Sequence, residues 1–569
     1  MGDLIVKGGF VFDPLNGVDG EKMDILVSGG KVVEELNGTG AKVVDAAGMT
    51  VMPGGVDIHS HIAGSKINIG RMMRPEDHRK DVVPRTRTTR GGVGYSCPST
   101  FVTGYRYAQM GYTTVMEAAM PPLGARHVHE ELNDTPIFDK GAFTLFGNNY
   151  FTLKYVKEGD MEKLKAFVAW LLRATRGYAV KIVNPGGVEN WKWGKNVGGL
   201  DDLVLKFEVS PRQIVTSLAR ANEELGLPHT IHLHCNNLGV PGNYETTIQT
   251  MDAVKDIKPK DGRRTAIHVV HVQFNALDGE NWMNVRSGAY QIAKYVNSHP
   301  HVTLDLGQAI FTDTTTMTGD GPWQFRLHNL TGNKWVNSDV EMEAGAGVVP
   351  YTFRKDNPAN AIQWAIGLEL ALHVYDPWRI YMTTDHPNGG PFTFYPQVVS
   401  WLMSRKARTD VMLESNKSVM KRTTLANVYR EYDFGEVATV TRAATAKVLG
   451  LEKKGHLGPG ADGDVSVYDI DPTAWRPSMY KDLEKAFTRA AYTIKGGEIV
   501  VKGGEVVASP RGITFWVDAK VPEEAEAELM KDLESEFRDY YTVSLNNYPV
   551  QDAYLPVQQP IAVDGRRGW

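Results

Sequence analysis

Histidines recur along the chain in pairs separated by one residue. His59 and His61 end the run Asp57-Ile58-His59-Ser60-His61, and His232 and His234 lie in a second apolar run. Alternate side chains of a β-strand share a face, so each pair places two imidazoles about 7 Å apart on one side. Imidazole is a common ligand of divalent metal ions. Each pair alone is equally consistent with polar residues satisfied by hydrogen bonds at a strand end.

Two further residues extend this pattern to other apolar runs. His268 and His271 lie in one run but differ in strand parity, so we expect one of them to point inward. We choose His271 because it is nearer the C-terminal end of the run. Asp385 ends the apolar run 379–384 and should project into the same space. Any one of these histidines is more often a packed core residue, but their recurrence at several strand ends predicts a metal centre.

Lys181 lies inside the apolar run 178–183. Burial of a lysine cation is costly, and the commoner alternative is a lysine that extends its amine to solvent at an edge. If the side chain is buried, its pKa falls and the amine becomes nucleophilic. Such an amine could capture CO2 as a carbamate, which is a long carboxylate able to bridge two cations. The carbamate is a hypothesis that rests on the position of the lysine.

These residues belong to a long alternation of apolar β-like runs and helical stretches, with helices at 161–174 and 211–225. The alternation predicts βαβ units and a parallel sheet. Eight strands in this rhythm favour a closed (β/α)8 barrel, in which the chemistry lies at the C-terminal ends of the strands. The candidate strands are 55–61, 112–118, 142–147, 178–184, 229–235, 266–272, 302–308 and 379–385.

The two ends of the chain have a different sequence pattern, in which short β-rich runs are separated by Gly-Gly pairs. We predict that 1–52 and 441–515 form one composite β-sandwich domain around a barrel at 53–440. Residues 516–569 should form an acidic helix, from Pro522 to about Tyr541, and an extended tail. The connections 62–110 and 309–378 are unusually long, which is typical of lids or interfaces.

The composition excludes several classes of protein. The net charge is −5 and no long basic run exists, so we expect neither a nucleic-acid nor a membrane surface. No apolar stretch approaches the roughly 20 residues that cross a bilayer. Only Cys97 and Cys235 are present, and neither belongs to a CxxC pair. A disulfide framework and an iron–sulfur cluster in this chain are therefore not expected. A cytoplasmic location is expected.

The run Pro53-Gly54-Gly55-Val56-Asp57-Ile58-His59-Ser60-His61 resembles the first-strand signature of the amidohydrolase superfamily. The segment 443–464 is similar to the passage from that family's barrel back to its β-domain. The resemblance implies a β-sandwich around a barrel that holds two divalent metal ions, for which zinc suits the ligands. It also implies roles: His59 and His61 bind one metal, carboxylated Lys181 bridges both, His234 and His271 bind the second, and Asp385 binds the first and handles protons.

A closer resemblance is to the family of A subunits of formylmethanofuran dehydrogenases. It rests on Lys66-Ile67-Asn68-Ile69-Gly70-Arg71, Arg74-Pro75-Glu76-Asp77-His78-Arg79, Tyr112–Ala119, 340–347 and Thr384-Asp385-His386-Pro387-Asn388-Gly389-Gly390. This family implies an amidohydrolase subunit of a CO2-fixing complex in methanogenesis, which joins formate to the amine of methanofuran. The formate comes from a molybdenum or tungsten formate dehydrogenase-like subunit. Partner subunits carry the iron–sulfur clusters, which fits the cysteine content.

Several points stay open at the level of sequence. A stand-alone cyclic amidohydrolase, such as a dihydropyrimidinase or dihydroorotase, shares the ligands, and a non-catalytic scaffold is a further alternative. The long insertions disfavour the first, and the intact ligand set disfavours the second. His232 and His386 are candidates for orienting the ligands. Arg71 and Arg74 are candidates for binding substrate carboxylates or a partner, although a solvated loop face explains them equally well.

Overall fold

The computed structural model describes residues 2–38, 40–259, 265–338 and 346–569. Most of the 340–347 run lies outside these residues. The strands are, in chain order, β1 (Leu4–Asp13), β2 (Val18–Ser28), β3 (Lys31–Val33), β4 (Lys42–Asp45), β5 (Thr50–Pro53), β6 (Gly55–Ser60), β7 (Tyr112–Met120), β8 (Asp139–Leu145), β9 (Ala179–Val183), β10 (Ile231–His234), β11 (Ile267–Val269), β12 (Leu277–Asp278), β13 (Arg286–Ser287), β14 (Val302–Asp305), β15 (Asp313–Thr316), β16 (Val336–Ser338), β17 (Ala346–Thr352), β18 (Ile380–Tyr381), β19 (Val465–Tyr468), β20 (Tyr492–Lys495), β21 (Glu498–Lys502), β22 (Glu505–Val506), β23 (Thr514–Lys520) and β24 (Gln558–Asp564). The α-helices are α1 (Ser65–Met73), α2 (Thr100–Gln109), α3 (Ala125–Asp134), α4 (Tyr150–Glu158), α5 (Met161–Thr175), α6 (Gly187–Trp191), α7 (Pro211–Leu225), α8 (Tyr244–Asp252), α9 (Ala289–Ser298), α10 (Gly321–Thr331), α11 (Pro358–His373), α12 (Tyr395–Met403), α13 (Arg405–Glu414), α14 (Val419–Arg422), α15 (Phe434–Ala438), α16 (Ala444–Leu449), α17 (Tyr480–Thr488) and α18 (Glu523–Tyr540).

Eight parallel strands form the barrel, in the order β6, β7, β8, β9, β10, β11, β14 and β18. The sheet closes between its first and last strands, where the His61 N–H donates to the His386 carbonyl at 2.7 Å. Each of the eight predicted runs overlaps a strand, and the predicted (β/α)8 barrel is confirmed. The last strand is much shorter than predicted because Met382 donates its N–H to the Val440 carbonyl instead of continuing the ladder.

The barrel strands are apolar because helices cover them on the outside. Every residue of β7, β8 and β9 is buried, as expected for parallel strands covered on both faces. The helices predicted at 161–174 and 211–225 are α5 and α7, which begin at the capping residues Asp160 and Ser210. Within the described parts of the chain, no helix has the length and apolarity that a membrane span requires.

A second, mostly antiparallel sheet combines the two ends of the chain. Its strands follow the order β22, β21, β20, β19, β5, β1, β2 and β3, with β4 paired to β1. The N-terminal β5 and the C-terminal β19 are neighbours, and the Thr50 hydroxyl donates to the Ile470 carbonyl at 2.9 Å. The sheet has its own apolar core, which includes Val6, Val27 and Val465. The predicted pairing of the chain ends in one β-domain is confirmed.

After this sheet the chain returns to the barrel. Thr514, the first residue of β23, pairs with Lys140 on β8, and β24 lies parallel to β23. The acidic helix α18 lies at the predicted position and packs on the barrel's helical layer, where its Asp532 pairs with Lys163 at 2.8 Å. The tail beyond α18 also contributes a strand, β24, which only Val563 anchors as a buried residue. Its weak apolar pattern explains why the sequence predicts only an extended tail.

The two long connections fold together over the mouth of the barrel. Ile67 on α1 shares a small apolar core with Met317 and Val348. Arg74 donates to the carbonyls of Thr314 at 2.7 Å and Tyr351 at 3.0 Å. Because these contacts join the connection after β6 to the one after β14, the mouth is covered by one joint structure instead of two independent loops.

Candidate active site

Six predicted side chains converge at the C-terminal ends of the barrel strands, and each is at most 2% exposed. They are His59, His61, Lys181, His234, His271 and Asp385. They lie on β6, β9 and β10, directly after β6, and in the turns that follow β11 and β18. The structure therefore brings together every residue that the sequence predicts as a metal ligand.

The first group consists of His59, His61 and Asp385. One ring nitrogen of each histidine and one carboxylate oxygen lie within 4.8 Å of one another. Asp385 Oδ1 is 3.0 Å from His59 Nε2 and 3.3 Å from His61 Nε2. Burial lowers the pKa of His61 to about 4 and raises the pKa of Asp385. Neutral imidazoles beside a carboxylate are the donor set that a divalent cation requires.

The second group consists of His234 and His271, whose ring centroids are 4.7 Å apart. His234 Nε2 lies 3.1 Å from Asp320 Oδ2, which leaves its Nδ1 without a hydrogen-bond partner. His271 Nε2 lies 4.0 Å from Asp385 Oδ2, so the two groups share one carboxylate. Burial lowers the pKa of both rings below the ordinary value of histidine.

Lys181 lies close to both groups, because its charge acts on the pKa of His59, His234 and His271. It is in register with His232 on the neighbouring strand, and its Nζ is buried without a hydrogen-bond partner. Burial lowers the pKa of Lys181 to about 7, although the nearby Asp385 and Asp305 carboxylates oppose that shift. A substantial fraction of this amine is therefore neutral at neutral pH. The expected burial of the lysine is observed, and the alternative of a solvent-reaching lysine does not apply.

The unpaired atoms test whether the residues fit a metal centre. Buried polar atoms in proteins are almost always hydrogen-bonded. Here five buried nitrogens and one buried oxygen of the converging side chains have no such partner: His59 Nε2, His61 Nδ1, Lys181 Nζ, His234 Nδ1, His271 Nδ1 and Asp385 Oδ2. This concentration of unpaired donor atoms fits two divalent cations held by nitrogen and oxygen ligands.

Three strand ends around the site have left-handed backbone. Asn184 has φ 39°, His271 has φ 36° and Asp385 has φ 50°. This conformation is uncommon for residues other than glycine and concentrates at functional sites. Gly307 lies against His271 so closely that an added Cβ would clash with the His271 Cβ. The backbone therefore turns sharply at His271 and Asp385, two of the six converging residues, and at Asn184.

One prediction about strand parity is wrong. Strand alternation predicts that only one of His268 and His271 points inward, but the His268 ring lies tilted against the ring of His232, with centroids 4.8 Å apart. It also contacts Asp305 Oδ2 at 3.1 Å. The reason is that β11 ends at Val269, so His271 lies beyond the strand and its left-handed backbone, not strand alternation, sets its direction.

Two carboxylates that we did not predict orient the histidines. Glu117 accepts hydrogen bonds from the backbone of Ile62 and Ala63 and lies 3.4 Å from His61 Nδ1. Asp320 caps α10 and contacts His234. Glu117, like Lys181, is a charged residue within an apolar strand, so the sequence could have revealed Glu117 as a candidate. Asp320 follows an irregular insertion, where no periodicity indicates a direction.

Lys66 is a third residue that sequence reasoning missed. It lies on α1, is 3% exposed, and its Nζ has no hydrogen-bond partner. Burial lowers its pKa, while the negative charges of Glu117 and Asp385 oppose the shift. An unpaired buried ammonium beside the metal-ligand cluster is suited to bind an anionic or carbonyl oxygen.

The remaining candidates occupy different surroundings. His232 contacts His59 directly, with Nε2 2.7 Å from His59 Nδ1. His386 closes the barrel, and its Nδ1 accepts a hydrogen bond from the Phe392 N–H at 3.2 Å. Arg71 donates to Glu131 at 2.5 Å, and Arg74 is tied to the second connection as described above. Both arginines are engaged by protein acceptors, and their role toward substrate or partner remains a prediction.

The family model for the amidohydrolase family matches residues 42–501, which is most of the chain and includes all six converging side chains. The chain belongs to the amidohydrolase family. The barrel, the composite β-domain and the strand-end histidines of this amidohydrolase agree with that assignment.

Two relatives match this amidohydrolase over nearly its whole length. Protein FwdA of Methanocaldococcus jannaschii is 52% identical over 567 residues, which is 99% of each chain. The A subunit of the formyltransferase/hydrolase complex Fhc of Methylorubrum extorquens is 38% identical over 560 residues, 97% of each chain. The crystal structure of the formyltransferase/hydrolase complex FhcABCD from the same organism, in complex with methylofuran, contains a chain that matches with a TM-score of 0.89 and 36% identity. That match covers 98% of this chain and 99% of the other.

Proposed function

We propose that this chain is the amidohydrolase subunit of a formylmethanofuran dehydrogenase complex in methanogenesis from CO2. In this proposal it reversibly condenses formate with the amine of methanofuran to give formylmethanofuran and water. The observation that carries the proposal is the buried convergence of six ligand-type side chains, each with a nitrogen or oxygen that lacks a hydrogen-bond partner. The full-length similarity to FwdA and to the A subunit of the Fhc complex supports the choice of substrate.

Two zinc ions are the proposed cofactors. His59, His61 and Asp385 would hold the first, and His234 and His271 the second, with carboxylated Lys181 between them. When bound, such ions lower the pKa of a coordinated water and polarise a carbonyl oxygen. Glu117 and Asp320 hold His61 and His234 in the orientation that this arrangement needs.

The carboxylation of Lys181 is a separate step within this proposal. The neutral amine adds its lone pair to the carbon of CO2, one N–H proton passes to solvent, and a carbamate anion remains. A pKa near 7 makes the neutral amine available without strong base. The product replaces a buried, unpaired amine with a carboxylate among neutral imidazoles.

Asp385 is the proposed proton carrier. In the hydrolytic direction water adds to the formyl carbon, and Asp385 accepts the proton and delivers it to the departing amine. The C–N bond breaks, and formate and the free amine leave. Burial raises the pKa of Asp385, which makes its carboxylate a better proton acceptor than an exposed one. Lys66 lies where its ammonium could bind an oxygen of formate or of the formyl group.

A cavity of about 250 Å³ beside the site is proposed to hold the aromatic part of the substrate. Its lining includes Phe274, Trp323, Tyr351 and Phe353, together with Asn388. Asn388 donates to Asp385 Oδ1 at 2.9 Å, so the cavity adjoins the proposed proton carrier. Flat aromatic walls suit a furan ring that carries the reacting amine.

The proposal includes partners and location. We place the chain in a cytoplasmic complex with iron–sulfur subunits and with a molybdenum or tungsten formate dehydrogenase-like subunit. One relative is named as part of a multi-subunit complex, and the matched crystal structure is that of such a complex. Both described cysteines are buried and free, so this chain offers no cluster-binding pair.

The test is release of formate from formylmethanofuran by the purified full-length chain, reconstituted with zinc and bicarbonate. Zinc is counted in the same sample. Lys181→Ala should abolish both activity and the binding of two zinc ions. Lys140→Ala is the matched control, because Lys140 is equally buried on the neighbouring strand β8 but donates to the Thr135 carbonyl, away from the site.

The outcomes separate the alternatives. Formate release that requires two zinc ions per chain and disappears only in the Lys181 variant supports the proposal. Hydrolysis of dihydrouracil or dihydroorotate without action on formylmethanofuran would favour a stand-alone cyclic amidohydrolase. Native protein that binds no metal would favour the non-catalytic scaffold.

A further inference from the structure

A row of histidines connects the candidate site to the opposite end of the barrel. His59 Nδ1 is 2.7 Å from His232 Nε2, and His232 Nδ1 is 3.1 Å from His229 Nε2. His229 Nδ1 is 2.8 Å from the carbonyl oxygen of Val448, which precedes the end of α16. All three rings are completely buried.

The carbonyl at the end of this row determines the direction of every bond in it. A carbonyl oxygen can only accept, so His229 must donate from Nδ1. A neutral His229 then accepts at Nε2, which requires His232 to donate from Nδ1. His232 in turn accepts at Nε2, so the proton of His59 lies on Nδ1. The lone pair of His59 is consequently on Nε2, the nitrogen that lies 3.0 Å from Asp385.

We propose that the Val448 carbonyl, His229 and His232 fix the tautomer of His59 and thereby direct its Nε2 lone pair to a bound metal ion. The inference rests on the proposed function, because it assigns positioning residues to that metal site. Asp305 supports the same tautomer, since its Oδ2 lies 3.6 Å from His59 Nδ1. That carboxylate is held by the His271 N–H at 2.8 Å and the Thr383 hydroxyl at 2.9 Å.

The arrangement that orients His59 differs from the one that orients His61 and His234. His61 and His234 face the carboxylates Glu117 and Asp320. His59 instead contacts a neutral ring, and the nearest carboxylate beyond Asp385 is outside hydrogen-bond distance. A relay of imidazoles therefore fixes a tautomer without placing another full negative charge in contact with the ligand.

The test compares two variants of His232 in the full-length chain. In His232→Gln the amide oxygen can accept from His59 and the amide nitrogen can donate to His229, so the direction of the row is kept. His232→Leu removes both bonds. We expect the leucine variant to bind one of its two zinc ions about 10- to 100-fold more weakly, and the glutamine variant to bind both nearly as the wild type does. Zinc affinity is measured by competition with a chromophoric chelator, and cobalt(II) spectra report the ligand set.

His129→Leu is the matched control, because His129 is buried and bonds a carbonyl, that of Thr175 at 2.9 Å, but lies outside the row. Undiminished affinity for both zinc ions in a folded His232→Leu variant would overturn the proposal, as would a folded glutamine variant no better than the leucine one. If His232→Leu does not fold, the pair His229→Gln and His229→Leu tests the same row one ring further from the metal. Absence of zinc in the wild type would instead reject the proposed function itself.

Discussion

Two clusters of buried charged side chains lie at opposite ends of the barrel, and they are satisfied in opposite ways. At the N-terminal end of the barrel strands, which we call the floor, Asp139 and Asp464 share the ammonium groups of Lys454 and Lys495. Lys454 is 2.7 Å from Asp464, and Lys495 is 2.8 Å from Asp139. At the mouth, five nitrogens of the converging side chains and Asp385 Oδ2 have no hydrogen-bond partners.

Spacing alone does not distinguish the two clusters. Asp139, Asp462 and Asp464 lie as close together as His59, His61 and Asp385 do. The pKa values separate them: the lysines hold the pKa of Asp139 below its ordinary value despite burial, whereas burial raises the pKa of Asp385. A cluster whose charges are already neutralised by lysines is structural, and a cluster that leaves its donor atoms unpaired is suited to a metal.

The largest expected effect is at the mouth. Asp385→Asn keeps the shape of the side chain but removes the proposed proton carrier, so we expect kcat for formate release to fall by about 10²- to 10⁴-fold. The metal-free variant should be at least as stable as the metal-free wild type, because a buried anion with a raised pKa is lost. Kinetics of the zinc-loaded protein and urea unfolding of the metal-free protein measure the two quantities. Activity within tenfold of the wild type would contradict the assignment.

At the floor, replacement of a buried aspartate by asparagine should lower stability and leave activity unchanged. Asp139→Asn leaves the buried Lys454 short of one anionic partner, and we expect a loss of about 3–5 kcal/mol in the free energy of unfolding. Turnover per folded molecule should not change. Urea titrations measure the loss, and Asp201→Asn, in an exposed pair with Arg212, is the control expected to show little change. A drop in zinc content would mean that the two clusters are not independent.

Substitutions of Lys66 test whether every unpaired group at the mouth contributes to metal binding. Lys66→Met should leave zinc content unchanged but weaken transition-state binding by about 1.5–3 kcal/mol, roughly 10- to 150-fold in kcat/KM. Lys66→Arg, which keeps the positive charge, should recover part of the loss. Zinc loss in the methionine variant would instead make Lys66 part of the metal centre.

The smallest effect is a difference in acid sensitivity. Because the folded pKa values of Asp139 and Asp464 lie below the unfolded ones, their contribution to stability is present above about pH 4. It is lost as the pH falls through the folded pKa values. The unfolding free energy of the wild type should therefore decline more steeply below pH 4 than that of Asp139→Asn. Parallel pH profiles in urea would show that the floor cluster does not carry this dependence.

The barrel and most of the side chains that converge at its mouth could be predicted from the sequence because they depend on strand periodicity. His59, His61, Lys181 and His234 lie within regular strands or directly at their ends, where alternation indicates direction. His271 also lies at the site, but a left-handed turn, not its place near a strand end, directs it there. Lys66 and Asp320 lie in the insertions after β6 and β14, where no repeating pattern relates sequence to position. The row through His229 and His232 also depends on packing between strands, which spacing along the chain does not reveal.

The composite β-sheet also constrains how the protein is made. Thr50 and Ile470, which meet across β5 and β19, are 420 positions apart. At roughly 5–20 residues per second, a ribosome needs about 20–80 s to synthesise the intervening chain. Throughout that interval β5 has one unpaired edge, and the emerging barrel must fold beside it without capturing it. We therefore expect newly made chains to depend on chaperones that shield the N-terminal strands until β19 leaves the ribosome.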